Sequence, residues 1–102
     1  MKVGGNLMPE ELSISIENMS QTTLEVRVSG EGHTLLNMLV DELNRNPHVT
    51  ASYRVDHPLL GVAYLLIRTD GTLTPLDALR VAVDSLRKKL EAMREQIRAQ
   101  TS

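Results

Sequence analysis

The first half of the chain contains two runs in which apolar and polar residues alternate. These runs cover residues 11–17 and 23–29, and period-two alternation is typical of half-buried β-strands. Polar turn-forming residues around Met19 separate them. We therefore predict an antiparallel hairpin with a loop of about five residues. Residues 1–10 show no periodicity and are predicted to be a flexible leader, in which Met8 is an alternative start.

Residues 31–46 have the spacing of a helix with an unusually wide apolar face. At about 100° per residue, one arc of roughly 140° is filled and Met38 widens it to roughly 200°. The other side chains of the arc are Leu35, Leu36, Leu39, Val40 and Leu43. A helix on one sheet needs a stripe only a little over 100° wide. We therefore expect a second apolar contact, from elsewhere in the chain or from a partner. Either Gly32 or Thr34 caps this helix, and Pro47 ends it.

Two further strands follow the first helix. Residues 49–56 alternate between apolar and polar side chains, whereas residues 62–69 are apolar on both faces. A strand that is apolar on both faces usually lies in the sheet centre or under a partner. Asp70 and Gly71 form a turn.

A long helix is predicted from Pro75 to Arg98. Thr74 is a suitable N-cap, Pro75 suits the first helical position, and Asp77 suits the third. A seam with alternating spacings of three and four, typical of a coiled coil, is formed by Leu76, Leu79, Val83, Leu86, Leu90, Met93 and Ile97. Such a helix is about 36 Å long, whereas strands of seven or eight residues span about 25 Å. One or two turns should overhang the sheet, unless the helix frays after Ala92 or packs only on its own domain.

These elements predict a two-layer α+β domain of order β-β-α-β-β-α. A four-stranded, mainly antiparallel sheet would be covered on one side by two helices, of which the last is long. We assign residues 11–98 to this single domain and residues 99–102 to a disordered tail.

Composition and charge narrow the function classes. A net charge of −2 and two aromatic residues argue against direct nucleic-acid binding, which usually involves a basic face or stacking platforms. The absence of cysteine excludes disulfides and thiolate metal sites. No segment approaches the 18 or so apolar residues of a membrane span. We expect a soluble, cytoplasmic protein.

Few residues are candidates for a catalytic, metal-binding or nucleotide-binding site. His33, His48 and His57 lack metal-binding or catalytic spacing and are interpreted as structural. The Gly30-Glu31-Gly32 segment lacks the third glycine of a dinucleotide site and the lysine of a P-loop. We predict no catalytic residue, cofactor or metal. The unusual features of the sequence are the apolar surfaces of its two predicted helices.

Several stretches resemble a known family. They are EGHTLLNML at residues 31–39, YRVDHPL at 53–59, IRT at 67–69, and the Thr-Pro pair at 74–75 with Ala-Leu at 78–79. The chain resembles, from about residue 12 to 97, the small alpha-like subunits of archaeal and eukaryotic RNA polymerases, most closely the archaeal L group. The E-[DG]-H-T-L-x-N-x-[LI] stretch and the H-P-L tripeptide are its most specific parts. The chain departs from the pattern at Asp56, where many members have proline, and at Gly32, where many have aspartate.

This resemblance implies a non-catalytic subunit of DNA-directed RNA polymerase. By similarity it pairs with the larger alpha-like subunit, called D in archaea, through the first and last helices of each partner. The heterodimer is then the assembly platform for subunits N and P and for the large catalytic subunits. Zinc in this family belongs to other subunits. His33 and Thr34 would fix the start of the first helix, and His57 with Pro58 the turn between the third and fourth strands. Asn37 belongs to the same structural motif.

The partner-binding residues are expected among the apolar positions of both helices, which are divided between core and interface. They are Leu36, Met38, Leu39, Leu43, Leu79, Val83, Leu86, Leu90, Met93 and Ile97. Periodicity gives their directions but not the division. The alternative is a homodimeric regulatory or binding module that uses the same two helices, and an enzyme is a distant third.

Overall fold

A computed structural model describes residues 13–30, 33–57 and 61–101. The element order is β1 (Ser13–Met19), β2 (Thr23–Ser29), α1 (His33–Asn44), β3 (Val49–His57), β4 (Val62–Thr69) and α2 (Pro75–Thr101). The predicted α+β fold, with four strands and a long last helix, is confirmed. The predicted leader at 1–10, Glu31, Gly32, Pro58 and Ser102 lie outside the described residues, as do the side chains of His33 and His57.

The four strands form one sheet in the order β1-β2-β4-β3, and every neighbouring pair is antiparallel. The apolar strand β4 lies in the centre, which is one of the two positions its sequence predicted. Strands β1 and β3 form the edges. The turn between β1 and β2 occupies residues 20–22 and is closed by a 2.7 Å hydrogen bond from the Ser20 amide to the Thr23 carbonyl. It is shorter than the predicted loop because β1 continues to Met19.

Both helices lie on the same face of the sheet, over an apolar core. Helix α1 packs on β3, and α2 packs on α1, β2 and β4. The most deeply buried large side chains include Leu24, Leu43 and Ile67, one each from β2, α1 and β4. The buried members of the core are all aliphatic, as expected from a chain with two aromatic residues.

The C-terminal end of α1 is fixed by hydrogen bonds to β3. The helix begins at His33, so Thr34 lies in its first turn and is not the cap. After Asn44 the chain turns before Pro47. The Asn44 side chain donates to the Ala51 carbonyl at 2.9 Å and accepts from the Ala51 amide at 2.8 Å. These two bonds attach the end of α1 to the edge strand β3.

Helix α2 starts as predicted. It begins at Pro75, the Thr74 hydroxyl accepts a hydrogen bond from the Asp77 amide at 3.2 Å, and the Thr74 carbonyl accepts from the Ala78 amide at 3.0 Å. It continues to Thr101, so residues 99–101 are helical where the sequence predicted a disordered tail. Residues 99 and 100 are alanine and glutamine, which are good helix formers, and no glycine or proline interrupts the helix.

Strand β1 differs from its prediction in burial. The alternation predicted a half-buried strand, but all seven residues of Ser13–Met19 are exposed. The reason is tertiary: the helical layer lies over β2, β4 and β3 and leaves this edge uncovered. A period-two pattern shows which side chains share a face, not whether another element covers that face.

Candidate protein-binding surface

Most of the wide apolar face of α1 is buried within the chain. Leu36 and Leu43 are 2 % exposed and Leu39 is also buried, while Leu35 and Val40 are partly buried against the core. Met38 is half-buried. The second contact expected for this helix is therefore supplied largely by α2, and the buried leucines have little surface left for a partner.

Helices α1 and α2 meet through small side chains and one polar cluster. Ala78 and Ala82 are buried on α2 and let the two helices approach closely. The Glu42 carboxylate, 11 % exposed, accepts hydrogen bonds from Ser85 Oγ at 2.7 Å and Lys89 Nζ at 2.9 Å. The Lys89 hydrogen bond first, and the Ser85 hydrogen bond next, lower the pKa of Glu42. This cluster orients the N-terminal half of α2.

The remaining α2 seam is split between core and solvent. Leu79 and Leu86 are partly buried against the core, whereas the other members stay exposed. Among those, Val83, Leu90, Met93 and Ile97 have 48–57 % of their surface exposed. All residues from 87 to 101 are exposed, which is about 22 Å of helix. The overhang predicted from helix length is present and is longer than one or two turns.

The overhang has a polar surface outside its seam. Arg87 is 2.6 Å from Asp84 and 3.6 Å from Glu91, and Lys88 is 3.3 Å from Asp84. These exposed pairs contribute little stability each. They leave a narrow apolar stripe on an otherwise charged helix, which is the pattern of a helix that packs against another apolar surface.

A second exposed apolar strip lies on β1. Ile14, Ile16 and Met19 are 55–60 % exposed and pair with the buried Val28, Val26 and Leu24 of β2. Cross-strand partners share a face, so this strip is on the helix side of the sheet. It was not among the binding residues predicted from the sequence. In the sequence, this strip is marked by the alternation of apolar and polar residues. That alternation is the same whether or not another element covers the strand.

Among the motif residues whose side chains are described, Asn37 contributes a hydrogen bond between elements. Asn37 accepts a 3.0 Å hydrogen bond from the Tyr53 hydroxyl, which connects α1 to β3. Thr34 is exposed.

His48 pairs with Asp70 at 2.6 Å across the ends of β3 and β4. Hydrogen bonds from Thr72, the largest cause, and from His48 lower the pKa of Asp70 well below its usual range.

Gly30 has a backbone role at the segment considered for phosphate binding. Its φ of 109° is in the region that favours glycine, and its amide donates to the Gly61 carbonyl at 3.0 Å. A Cβ on Gly61 would lie 3.1 Å from the Gly30 oxygen. Two glycines thus let the end of β2 approach the start of β4.

Two searches of the described residues, 13–30, 33–57 and 61–101, looked for clusters of metal-binding side chains and for membrane-spanning helices. Within them no group of three or more His, Cys, Asp or Glu side chains is placed to hold a metal ion. None of the helices in the same part of the chain combines the length and apolarity needed to cross a membrane.

Comparison with known proteins places the chain in a family. The family model described as the RNA polymerase Rpb3/Rpb11 dimerisation domain matches residues 23–96. The chain is 37 % identical over 73 residues to DNA-directed RNA polymerase subunit Rpo11 of Metallosphaera sedula, covering 71 % of this chain and 81 % of that one. It is 35 % identical over 91 residues to Rpo11 of Saccharolobus solfataricus, covering 88 % and 99 %.

A solved structure has the same fold. The crystal structure of DNA-directed RNA polymerase subunit L from Thermoplasma acidophilum superposes with a TM-score of 0.78 at 25 % identity, covering 88 % of this chain and 89 % of that one. The resemblance predicted from the motifs is confirmed, and the chain belongs to the family of the RNA polymerase Rpb3/Rpb11 dimerisation domain.

Proposed function

We propose that this chain is a non-catalytic subunit of DNA-directed RNA polymerase that forms a heterodimer with the larger alpha-like subunit, called D in archaea. The observation that carries the proposal is the exposed part of the α2 seam. Val83, Leu90, Met93 and Ile97 form a stripe that continues beyond the chain's own core. Monomeric proteins seldom leave a contiguous apolar stripe of this kind in water unless a partner covers it.

The position of the stripe supports the C-terminal half of α2 as the part that pairs. The N-terminal half of the helix is held by Ala78, Ala82 and the Glu42 cluster, so its orientation is fixed before any partner binds. The overhang is then a preformed projection, which avoids part of the ordering cost of association. Of the ten partner-binding candidates, the exposed four become the proposed interface, with Met38, Leu79 and Leu86 at its inner margin. The buried Leu36, Leu39 and Leu43 support it from the core.

The heterodimer is the proposed platform on which subunits N and P and then the large catalytic subunits assemble, in the cytoplasm. The family membership and the preformed projection support an assembly role.

Introducing two negative charges into the stripe tests whether it binds the larger alpha-like subunit. Leu90→Asp with Met93→Asp should abolish binding to the larger alpha-like subunit, because pairing would bury two carboxylates without partners. The monomer should stay folded because both side chains are already exposed. The matched control is Ala92→Asp with Ala99→Asp, which adds the same charge to the overhang, roughly 140° or more away from the stripe centre.

Complex formation is measured by light scattering of each variant mixed with the larger alpha-like subunit of the same organism. Folding is measured by circular dichroism of each variant alone. Wild type and control should form a 1:1 complex and the stripe variant should not. If the wild-type chain forms a stable homodimer that refuses this partner, the homodimeric binding module is correct instead. If the stripe variant unfolds by itself, those residues belong to the core.

A further inference from the structure

We propose that a row of arginines on α2 selects the partner of this chain, and that the partner surface covering the stripe carries carboxylates opposite the row. The arginine row consists of Arg80, Arg87 and Arg94, which are seven residues apart. This inference rests on the proposed function. It adds the charge that distinguishes the larger alpha-like subunit from a second copy of this chain.

The arginine row follows one border of the exposed stripe. At about 100° per residue, its members point roughly 50–90° away from the centre of the seam, all to the same side. Arg87 lies four positions after Val83 and three before Leu90, and Arg94 has the same relation to Leu90 and Ile97. Side chains three and four positions apart on a helix are neighbours. Each of these two arginines therefore adjoins two apolar side chains of the stripe.

The contacts of the row leave positive charge available to a partner. Arg80 is 3.5 Å from Asp77 and Arg87 is 2.6 Å from Asp84, yet 72 % and 59 % of the two arginine side chains stay exposed. Both aspartates point roughly 130–150° away from the seam centre, behind the row. The exposed Arg94 side chain forms no ion pair or hydrogen bond with any residue in the described part of the chain.

The opposite border of the seam carries no acidic residue on α2 either. Its positions also recur every seven residues and are occupied by Pro75, Ala82, Lys89 and Gln96. The Lys89 ammonium is already 2.9 Å from the Glu42 carboxylate of α1. Both borders that α2 presents beside the stripe are therefore positive or uncharged.

This distribution of charge opposes pairing between two copies of the chain. In a pair of identical helices, a border faces its own counterpart when the helices are antiparallel and the opposite border when they are parallel. Arginine would then face arginine, or it would face the border that contains Lys89 and Gln96. Like charges that face each other across an interface suppress the wrong partner. Neither orientation brings a carboxylate from α2 next to the row.

Charge complementarity points to a partner with the opposite border. Guanidinium groups bind carboxylates through two parallel hydrogen bonds, so an apolar surface bordered by Asp or Glu fits the stripe and the row together. We assign that surface to the larger alpha-like subunit. Exposed ion pairs add little affinity individually, whereas replacing attraction by repulsion changes both partner choice and salt dependence.

Charge reversal tests the row. Arg87→Glu with Arg94→Glu should raise the Kd for the larger alpha-like subunit about tenfold or more at about 0.05 M salt. The increase should shrink to about threefold or less at about 0.5 M salt, where the screening length is only about 4 Å. The matched control is Lys88→Glu with Ala92→Glu and Ala99→Glu. It makes the same change in net charge on the far side of the helix and should change Kd less than about threefold.

Arg94→Lys gives a readout that does not depend on affinity. This variant keeps the positive charge but provides an amine, which a carbodiimide condenses with a carboxylate in contact with it to give an amide. Peptide mapping of the crosslinked heterodimer should find position 94 joined to an Asp or Glu of the larger alpha-like subunit. Lys88, on the far side of the helix, is the internal control and should not be joined to that subunit.

The outcomes separate the row from the proposed function. Equal Kd values for wild type and the charge-reversed variant overturn the row, as does a crosslink from Lys88 in place of one from position 94. In both cases normal pairing of the wild type leaves the proposed function standing. A stable wild-type homodimer also overturns the row, because a second copy would not be excluded. A wild type that binds no partner overturns both proposals.

Discussion

At the scale of single residues, Glu42 is the most informative side chain. It lies on α1, is 11 % exposed, and accepts hydrogen bonds from Ser85 and Lys89 of α2. Its partners are 43 and 47 positions away in the sequence, so no local pattern marks it. A charged residue on a helix is normally interpreted as part of the solvated face, and its role here exists only because α2 returns to α1.

Because of the Glu42 cluster, the free energy of unfolding depends on pH, and the lowered pKa of Glu42 gives the direction of this dependence. The pKa of Glu42 is lowered in the folded chain from its ordinary value of 4.5, so the unfolded chain binds a proton at higher pH than the folded chain does. The resulting stabilisation is fully present above pH 4.5 and is lost as the pH falls through the folded pKa.

We predict that Glu42→Gln is less stable than wild type at pH 7 by about 1 kcal/mol, because a charge-assisted hydrogen bond becomes a neutral one. The difference should shrink as the pH is lowered below 4.5. Urea unfolding at pH 7, 4.5 and 3 measures it. The control, Glu95→Gln, changes an exposed carboxylate 3.7 Å from Arg98 and should have little effect at any pH. A Glu42→Gln penalty that does not change with pH would contradict the assignment.

At the scale of elements, the two helices differ in how much of their apolar surface is buried, and their hydrophobic patterns do not show this difference. The wider apolar face belongs to α1, yet it is mostly buried in the chain's own core. The narrower seam belongs to α2, and more than half of it stays exposed. Length explains the difference: α1 has 12 residues and fits over the sheet, whereas α2 has 27 and extends beyond it.

A matched pair of leucines tests this division. Leu43→Ala should lower the free energy of unfolding by about 2–5 kcal/mol, because Leu43 is 2 % exposed and its truncation leaves a cavity. Leu90→Ala should change it by no more than about 0.5 kcal/mol, because Leu90 is 51 % exposed. Thermal or urea unfolding of the isolated chain measures both. A large loss for Leu90→Ala would mean that the overhang packs on its own domain.

At the scale of the whole molecule, the described part is flat and elongated, with principal extents of 47 × 34 × 18 Å. The longest dimension reflects α2, which is about 40 Å long, and the thinnest one reflects a sheet with a single helical layer. That layer covers three strands and leaves the β1 edge bare. The described part of the molecule therefore has exposed apolar surface on one edge of the sheet and on one projecting helix.

Pairing should raise the stability of the whole chain. When the free concentration of the larger alpha-like subunit is 100 times Kd, linkage adds about 2.7 kcal/mol, which corresponds to a rise in Tm of roughly 10–20 °C for a domain of this size. Scanning calorimetry with and without this partner measures the shift. The Leu90→Asp, Met93→Asp variant should show no shift. An unchanged Tm for the wild type at a saturating partner concentration would contradict the heterodimer.

The element types, their order and most of their boundaries were predictable because they depend on local physics. Alternation predicted the strands, Thr74 and Pro75 predicted the start of α2, and Pro47 predicted the stop after α1. The apolar character of β4 predicted its central position as one of two options. The end of α2 was missed at residues 99–101, since helix-forming residues without a stop signal continue a helix that is already formed.

The fold class, the family motifs and the set of apolar side chains from which an interface can be made all follow from the order of residues along the chain. Tertiary structure alone decided how that set is divided. Leu43 and Leu90 have the same chemistry, but one lies between α1 and the sheet and the other lies beyond the sheet edge. Ile14 and Val28 share one face of adjacent strands, but the helices cover only the second. Burial is a property of where other elements lie, and the projecting seam acquires its proposed role from that arrangement.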